Sequence, residues 1–428
     1  MSEKVVTRFP PSPTGYLHIG SARTALFNYL FAKHNRGEMR LRFEDTDKER
    51  NKKEYEDDIL EGLRWLGIAP EAANIPRQSE RIDLYKKHLV PLIEKGLAYE
   101  GEESTNSPGK KVIRFKNSNK KITFFDIVRG EVTFDTTELG DFVIARSLDE
   151  PLYHLAVVID DHEMGVTHII RGEDHISNTQ RQILLLEALG FARPEYGHIP
   201  LILAPDKTKL SKRHGAISIT DYRAQGFVPE AMVNYLALLG WNPGGDREIF
   251  TLSELVENFT MDRVHKSSAI FDVTKLRWFN HEHLKKVPDI EYAVRLNIDL
   301  KLVPLLKERA QTLVEAKNMI AGELNFLNEI SYEPALLTKG AKTDGAGAKK
   351  HLLAVKEMLQ KLSNEDFTGD TIKKAIFPYA TKEGRAAVLW PLRVALSGKE
   401  KSPDPFVLAS ILGKEKTLRR IEEALKML

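Results

Sequence analysis

Pro11-Ser12-Pro13-Thr14-Gly15-Tyr16-Leu17-His18-Ile19-Gly20-Ser21 lies between two differently patterned stretches. Before it, Val5 to Phe9 reads as a short strand. After it, Gly20 to Lys33 carries Ala25, Leu26, Tyr29 and Leu30 at helical spacing and ends at Asn35-Arg36-Gly37. Met39 to Asp45 alternates as a strand does, and Lys53 to Leu66 reads as a second helix stopped by Gly67. Strand, helix, strand and helix with a short first turn predict a right-handed βαβ unit and a parallel sheet. The turn itself predicts an anion site. A His-x-Gly segment opening a helix presents backbone N–H groups and the positive end of the helix dipole.

A second segment, Lys209-Leu210-Ser211-Lys212-Arg213, follows the strand-like Pro200 to Ala204. Its two ammonium groups are spaced to converge on one polyphosphate. No GxxxxGK[ST] loop is present to cradle β- and γ-phosphates. The combination of His18, Lys209 and Lys212 therefore predicts nucleotidyl transfer, with charge moving onto leaving pyrophosphate. Any one of these residues alone is more ordinary as a turn or surface residue. Gly20, bare of a side chain, would let an adenine ring lie against the backbone.

Between the two segments, Ser79 to Lys95 is helical and closed by Gly96. Ala98 to Phe142 then turns β-rich and predicts an inserted small domain. Val166 to Arg171 and Pro200 to Ala204 restore strand character, with the helix Thr179 to Leu189 between them. Beyond Arg213 the chain reads as helical almost to its end. Thr251 to Glu254 is a capping box. Lys339 to Lys350, rich in Gly, Ala and Lys, predicts a flexible link. Arg385 to Leu396 and Thr417 to Leu428 predict amphipathic helices, the first kinked or restarted at Pro391.

The 428 residues suffice for several domains, and 42% apolar with 29% charged residues fits a globular protein. No run is apolar enough to span a bilayer, and the first residues lack a signal-peptide core, so no membrane and a cytoplasmic location are expected. With no cysteine, disulfides and thiolate metal sites are excluded. A net charge of +2 argues against a histone-like role while leaving one basic face open. Lys110-Lys111, Lys116 to Lys121, Lys207 to Arg213 and Arg419-Arg420 are its candidates, each read singly as a solvated face.

Arg8, Glu44 and Arg171 fall near the C-terminal ends of predicted parallel strands, where ligands of open sheets bind. Two arginines and one glutamate suit a zwitterion with an extra negative charge, an acidic amino acid. Glu44 is the one carboxylate expected beside the two guanidiniums.

These residues resemble a family closely. Arg8 to Gly15 with His18-Ile19-Gly20-Ser21 is similar to the first signature of a class I aminoacyl-tRNA synthetase, specifically the bacterial type of glutamyl-tRNA synthetase. Phe43-Glu44-Asp45-Thr46-Asp47, Tyr153-His154-Leu155-Ala156, Asp160-Asp161-His162 and Ile170 to His175 resemble further blocks. Lys209 to Arg213 resembles the second signature, and Trp390 to Gly398 the anticodon-binding end.

The resemblance implies a parallel-sheet, Rossmann-like α/β catalytic domain with a small inserted α+β domain and an all-helical C-terminal half. Its halves would be 1–97 and 158–206, interrupted by a shortened acceptor-end-binding insertion at 98–157. A KLSKR loop and stem-contact region would span 207–290, and the anticodon-binding region 291–428. His18, Gly20, Glu173, Asp174, Lys209, Leu210 and Lys212 would bind ATP, with His18, Lys209 and Lys212 catalytic. Arg8, Arg171 and Tyr153 would take the glutamate side chain, and Ser12 and Glu44 its α-ammonium. The implied partners are ATP with Mg2+, L-glutamate and tRNA-Glu, with tRNA-Gln left open and a monomer expected.

The chain departs from the family pattern in three places. The first signature ends in Ser21 rather than a second His. Val157 stands where some relatives carry an Asn. The stretch Ala98 to Lys111 is short and lacks a Cys-rich zinc knuckle. His162, His168 and His175 match blocks without metal duty. Elemental analysis of the purified, active protein is therefore expected to find no stoichiometric zinc. One zinc per chain would overturn this.

Two relatives and one other class compete. A truncated paralogue that glutamylates a tRNA base would lack the long stretch after Arg213, and a glutaminyl enzyme would carry β-barrels there. A non-catalytic tRNA-binding protein would not need His18, Lys209 and Lys212 together.

Overall fold

The computed structural model describes residues 4–47, 49–70, 74–103, 109–208, 210, 217–322, 324–327 and 330–428. The chain divides into two compact units, 1–283 and 284–428.

In the first unit, β1 (Val6–Phe9), α1 (Ile19–His34) and β2 (Glu38–Leu41) form the expected strand–helix–strand, with β1 and β2 parallel. The helix ends on Arg36, which takes the left-handed conformation (φ 56). Gly37 serves a different need. A Cβ there would stand 2.0 Å from the Val5 carbonyl oxygen, so only glycine lets the returning chain pass β1.

The second strand is shorter than its alternation predicts. The Arg42 N–H still reaches the Phe9 carbonyl at 3.4 Å, but beyond it the backbone leaves β1, and Phe43 exchanges hydrogen bonds with Pro76 and Gln78 instead (2.9 and 3.0 Å). That exit frees Arg42 and Glu44 to turn into the interior.

Helices α2 (Lys53–Trp65) and α3 (Ile82–Glu94) follow. The β-rich stretch then contributes β3 (Ala98–Glu102), β4 (Lys111–Phe115), β5 (Lys121–Asp126), β6 (Gly130–Asp135), β7 (Phe142–Ser147) and β8 (Glu150–Pro151). Strands β3, β4, β7 and β8 make one antiparallel sheet. The β5–β6 hairpin goes elsewhere and joins the parallel strands.

Those strands follow α4 (Tyr153–Glu163): β9 (His168–Gly172), then α5 (Ile176–Leu189) and β10 (Glu195–Ile199). The sheet order is β6-β5-β10-β9, with β5, β10 and β9 parallel. Thr167 ties this sheet to β1, its N–H donating to the Val6 carbonyl and the Val6 N–H donating to its hydroxyl, both at 2.9 Å. So β1 has β2 on one side and β9 on the other. The chain order reverses between β1 and β9, and the crevice at their C-terminal ends is where such sheets bind ligands.

Two apolar cores flank this junction. One joins α1, β1, β2 and α2 to the later helices, and includes Phe27, Phe43, Trp241 and Phe259. The other joins α3, α4 and α5 to the inner faces of β4, β5 and β7. Residues 98–147 thus share a core with α4 and α5.

Then come β11 (Ile202–Leu203), α6 (Ile219–Ala224), α7 (Pro229–Leu238), α8 (Leu252–Asn258), β12 (Ala269–Ile270) and α9 (Val273–Lys286). β11 pairs with β12 in parallel. The Thr251–Glu254 capping box forms as the sequence reads.

The second unit is helical: α10 (Asp289–Leu296), α11 (Val303–Arg309), α12 (Leu313–Ala321), α13 (Leu336–Lys339), α14 (Gly345–Gln360), α15 (Gly369–Glu383), α16 (Arg385–Ser397) and α17 (Pro405–Met427). Two expectations are corrected here and a third is narrowed. Lys339 to Lys350 is not a flexible link: Asp344 caps α14 through the Gly347 N–H at 2.8 Å. Just before it, Gly340 lies so close to Trp390 that a Cβ would stand 2.6 Å from the indole. Of the kink or restart expected at Pro391, the restart does not occur: α16 runs through that residue as one helix. The helical break falls at Gly413 (φ 77, ψ 165), inside α17. Arg420 is no part of a solvated basic face. It is buried and donates to the Phe326 and Leu396 carbonyls.

Among the described residues no helix is long and apolar enough to cross a membrane.

Candidate active site at the strand ends

His18 caps α1. Its Nδ1 accepts from the Ser21 N–H at 3.3 Å, and its Nε2 lies 3.0 Å from the Ser21 hydroxyl. The serine standing where a second imidazole was considered therefore steadies the first. Gly20 leaves room for the same arrangement, since a Cβ there would stand 3.2 Å from the His18 ring. The imidazole is exposed at the helix N-terminus, where an anion is favoured. Ser12 is also exposed. Its neighbour Pro11 accepts the Glu44 N–H at 3.0 Å, which brings Ser12 and Glu44 to the same edge.

Arg8 from β1, Glu44 from beyond β2 and Arg171 from β9 are all buried at this end of the sheet. The expectation that Glu44 alone balances the guanidiniums is overturned. Asp161 accepts from Arg8 Nε at 3.3 Å and from Arg42 Nη1 at 2.6 Å. Arg42 also donates to Glu44 at 2.9 Å and lies 3.6 Å from Asp160. Asp160 in turn accepts from Gln78 (2.9 Å), Arg81 (2.8 Å) and Tyr85 (2.9 Å). Both aspartates lie on α4. Tyr153, Val157 and Asp161 recur at four-residue spacing along it, so one helix face serves the site.

Electrostatics follow from this packing. Burial pushes the Asp161 carboxyl up, but Arg42 and Arg8 overcome it and hold the group below its usual value. Burial pushes the Glu44 carboxyl up, and there Arg42 does not fully compensate. Burial, with nearby Glu44 adding to it, raises the Tyr153 phenol and keeps it a neutral donor. Its oxygen lies 3.4 Å from His175 Nδ1. Burial pulls the Arg171 guanidinium down, and the charge of Arg8 acts the same way.

Arg171 donates to Thr179 Oγ1 at 2.8 Å and to His198 Nε2 at 3.1 Å. It does not anchor Glu173 or Asp174. Among the described residues, Arg8 Nη1 and Arg171 Nη1 are buried without a hydrogen-bond partner. Two orphaned donors on buried cations are costly, and a ligand carboxylate would relieve both.

The remaining sequence candidates fall differently. Glu173 is engaged by the protein, accepting from the Leu201 N–H at 2.8 Å and pairing with Arg129. Asp174 is exposed and folds over Gly172, where a Cβ would stand 2.5 Å from its Oδ1. Leu210 returns to β11, its N–H 3.4 Å from the Ile202 carbonyl. Lys209 and Lys212 lie outside the described residues. His162, His168 and His175 separate, the first stacking on Phe191 and the second packing on Phe31. Among the described residues no group of three or more His, Asp or Glu is placed to hold a metal ion.

Sequence reasoning missed Arg42, Asp126 and His198, and quoted Asp160 and Asp161 without a role. Asp160-Asp161 after the apolar Leu155 to Ile159 was a usable signal, because adjacent carboxylates ending a buried run require cationic partners.

The chain that carries this site is similar to known proteins. The model for the catalytic domain of class I tRNA synthetases (E and Q) covers residues 4–107 and 100–278, and one for an anticodon binding domain covers 252–425. These define a class I aminoacyl-tRNA synthetase. Glutamate–tRNA ligases from Oleidesulfovibrio alaskensis and Nitratidesulfovibrio vulgaris are 40% and 41% identical, over 98% and 99% of this chain and 99% of each relative. The crystal structure of a glutamate tRNA ligase from Elizabethkingia meningosepticum in complex with its amino acid aligns with a TM-score of 0.86 and 32% identity, covering 99% of both chains. The chain belongs to the glutamate–tRNA ligase family.

Proposed function

We infer that this enzyme joins L-glutamate to tRNA-Glu at the expense of ATP, through a glutamyl-adenylate. The α-carboxylate oxygen of glutamate attacks the α-phosphorus of ATP and pyrophosphate leaves; a hydroxyl of the terminal ribose of the tRNA then attacks the acyl carbon, and AMP leaves. Magnesium enters with the ATP phosphates as part of that substrate.

The observation that carries the amino-acid reading is the pair of buried, unpartnered Nη1 atoms on Arg8 and Arg171. A side-chain carboxylate offers acceptors to both. The amide of glutamine offers one oxygen and turns an N–H donor towards a donor. Tyr153 adds a neutral hydroxyl on the same side, while Ser12 and Glu44 take the α-ammonium. His18 and Gly20 receive ATP at the start of α1, with Leu210, Glu173 and Asp174 around the nucleotide. Lys209 and Lys212 hold its phosphates.

We carry the same division of labour along the chain: 1–97 and 158–206 catalytic, 98–157 towards the acceptor end, 207–290 to the stem, 291–428 to the anticodon. A monomer in the cytoplasm is part of this reading. Charging of tRNA-Gln turns on how the helical region reads the third anticodon base.

Glutamate affinity is expected to vary with pH through Glu44. Its carboxyl is held above the usual value, and only the ionised form pairs with an ammonium. Affinity should therefore rise with pH through that raised value and fall below it. Glu44→Gln should bind weakly and flatten the profile. A wild-type profile in the variant would exclude Glu44 from this role.

Glutamate-dependent exchange of pyrophosphate into ATP, with tRNA-Glu present, tests the activity. Exchange with glutamate and none with glutamine supports it. Tight tRNA binding without exchange would leave a binding protein.

A further inference from the structure

Behind Arg171 runs a chain of buried polar groups leading away from the substrate side. Arg171 Nε donates to His198 Nε2 at 3.1 Å, and Nη2 donates to Thr179 Oγ1 at 2.8 Å. Thr179 Oγ1 lies 3.2 Å from the same imidazole nitrogen. On its other side, His198 Nδ1 is 2.6 Å from Asp126 Oδ2. His198 and Asp126 side chains have no exposed surface. Asp126 is itself fixed by the backbone N–H groups of Val128 (2.9 Å), Arg129 (2.8 Å) and His198 (3.0 Å).

These contacts assign the tautomer. An ionised carboxylate only accepts, so Nδ1 of His198 carries the proton. Nε2 is left as a lone pair, which Arg171 needs as acceptor. Burial pulls the imidazole below its ordinary value against the opposing hydrogen bond to Asp126, which keeps the ring neutral. A second proton on Nε2 would face a guanidinium N–H and push it away.

We propose that His198, backed by Asp126, is a positioning residue that aims the Arg171 guanidinium and so sets discrimination between a carboxylate and an amide side chain. It uses two of the three Arg171 nitrogens' directions, directly and through Thr179, and leaves Nη1 for the ligand. The proposal rests on the reading that Arg171 takes the glutamate side chain. Asp126 comes from β5, in the β-rich stretch, so that hairpin reaches the amino-acid pocket by its pairing with β10.

The test uses the full chain with tRNA-Glu and steady-state activation of glutamate and glutamine. His198→Leu, which removes the acceptor, should raise the glutamate KM by about tenfold or more and lower the glutamate preference similarly. The ATP KM and kcat should stay within about threefold. His198→Gln offers an amide oxygen to the same N–H and should recover most of the loss. Asp126→Asn keeps the shape but turns a donor towards His198 or towards the backbone amides, and should raise the glutamate KM even where the leucine variant fails to fold.

In an Arg171→Ala background the His198 changes should be silent, because the group they act through is gone. A folded His198 or Asp126 variant with wild-type glutamate KM and preference would overturn the proposal. So would an effect that persists in the Arg171→Ala background. If Arg171→Ala itself left the preference intact, the underlying reading would fail instead, and the two failures are distinct.

Discussion

Arg171→Ala is expected to cut glutamate activation by two to three powers of ten and to remove most of the preference over glutamine. Glutamate and glutamine are nearly isosteric, so shape separates them poorly and hydrogen-bond polarity must do so. In the folded protein Arg171 is buried at the end of β9 with Nη1 unused, beside Arg8 in the same condition. Removing one partner of a buried charge pair costs about 3–5 kcal/mol, which corresponds to that loss. With Arg171 gone, the glutamate carboxylate keeps the neutral Tyr153 hydroxyl and a single cation, Arg8, whose Nε is already shared with Asp161.

The competing role, an anchor for the loop after β9, is not what the contacts support. Arg171 bonds to Thr179 and His198 and to neither Glu173 nor Asp174. A loop anchor would lose activity towards both amino acids alike. tRNA-dependent activation of each amino acid by wild type and variant separates the roles. A variant that keeps the full preference would show that Arg171 does not read the side chain.

Lys212→Ala should slow adenylate formation by about two powers of ten or more while the glutamate KM hardly moves. Negative charge grows on the leaving pyrophosphate as the α-phosphate bond breaks, so an ammonium there is worth most in the transition state. Removal of one such group costs about 3 kcal/mol. Single-turnover formation of adenylate reads this directly. Unchanged turnover with only a raised glutamate KM would place Lys212 on the amino acid instead.

Much of the catalytic half was legible because its signals are local. The strand before Pro10, the helix after His18 and the return through Gly37 depend on neighbouring residues, and each forms as read. The placement of Arg8 and Arg171 at the ends of neighbouring strands was legible too, since parallel topology brings strand ends together. What escaped depends on distant partners. The helix Tyr153 to Glu163 is buried on every side from Leu155 to Asp161, so its run Leu155 to Ile159 has no helical stripe to read. β10 is only Glu195 to Ile199, and Gly197 interrupts its alternation. The Asp161 and His198 contacts join residues far apart in sequence; the local pattern at Asp160-Asp161 calls for cationic partners but does not say which residues supply them. In the helical half, glycine and lysine at 339–350 suggested looseness. The deciding facts were the Asp344 cap and the Trp390 face.

Every role above depends on this chain charging tRNA-Glu with glutamate. Purified protein incubated with ATP, radiolabelled glutamate or glutamine, and purified tRNA-Glu and tRNA-Gln in parallel reads that activity. Acid-precipitable glutamate is expected on tRNA-Glu, none without ATP, and no glutamine on either tRNA. Glutamine attached to tRNA, or no glutamate attached to tRNA-Glu by a folded protein that binds it, would rule out that glutamate-specific activity.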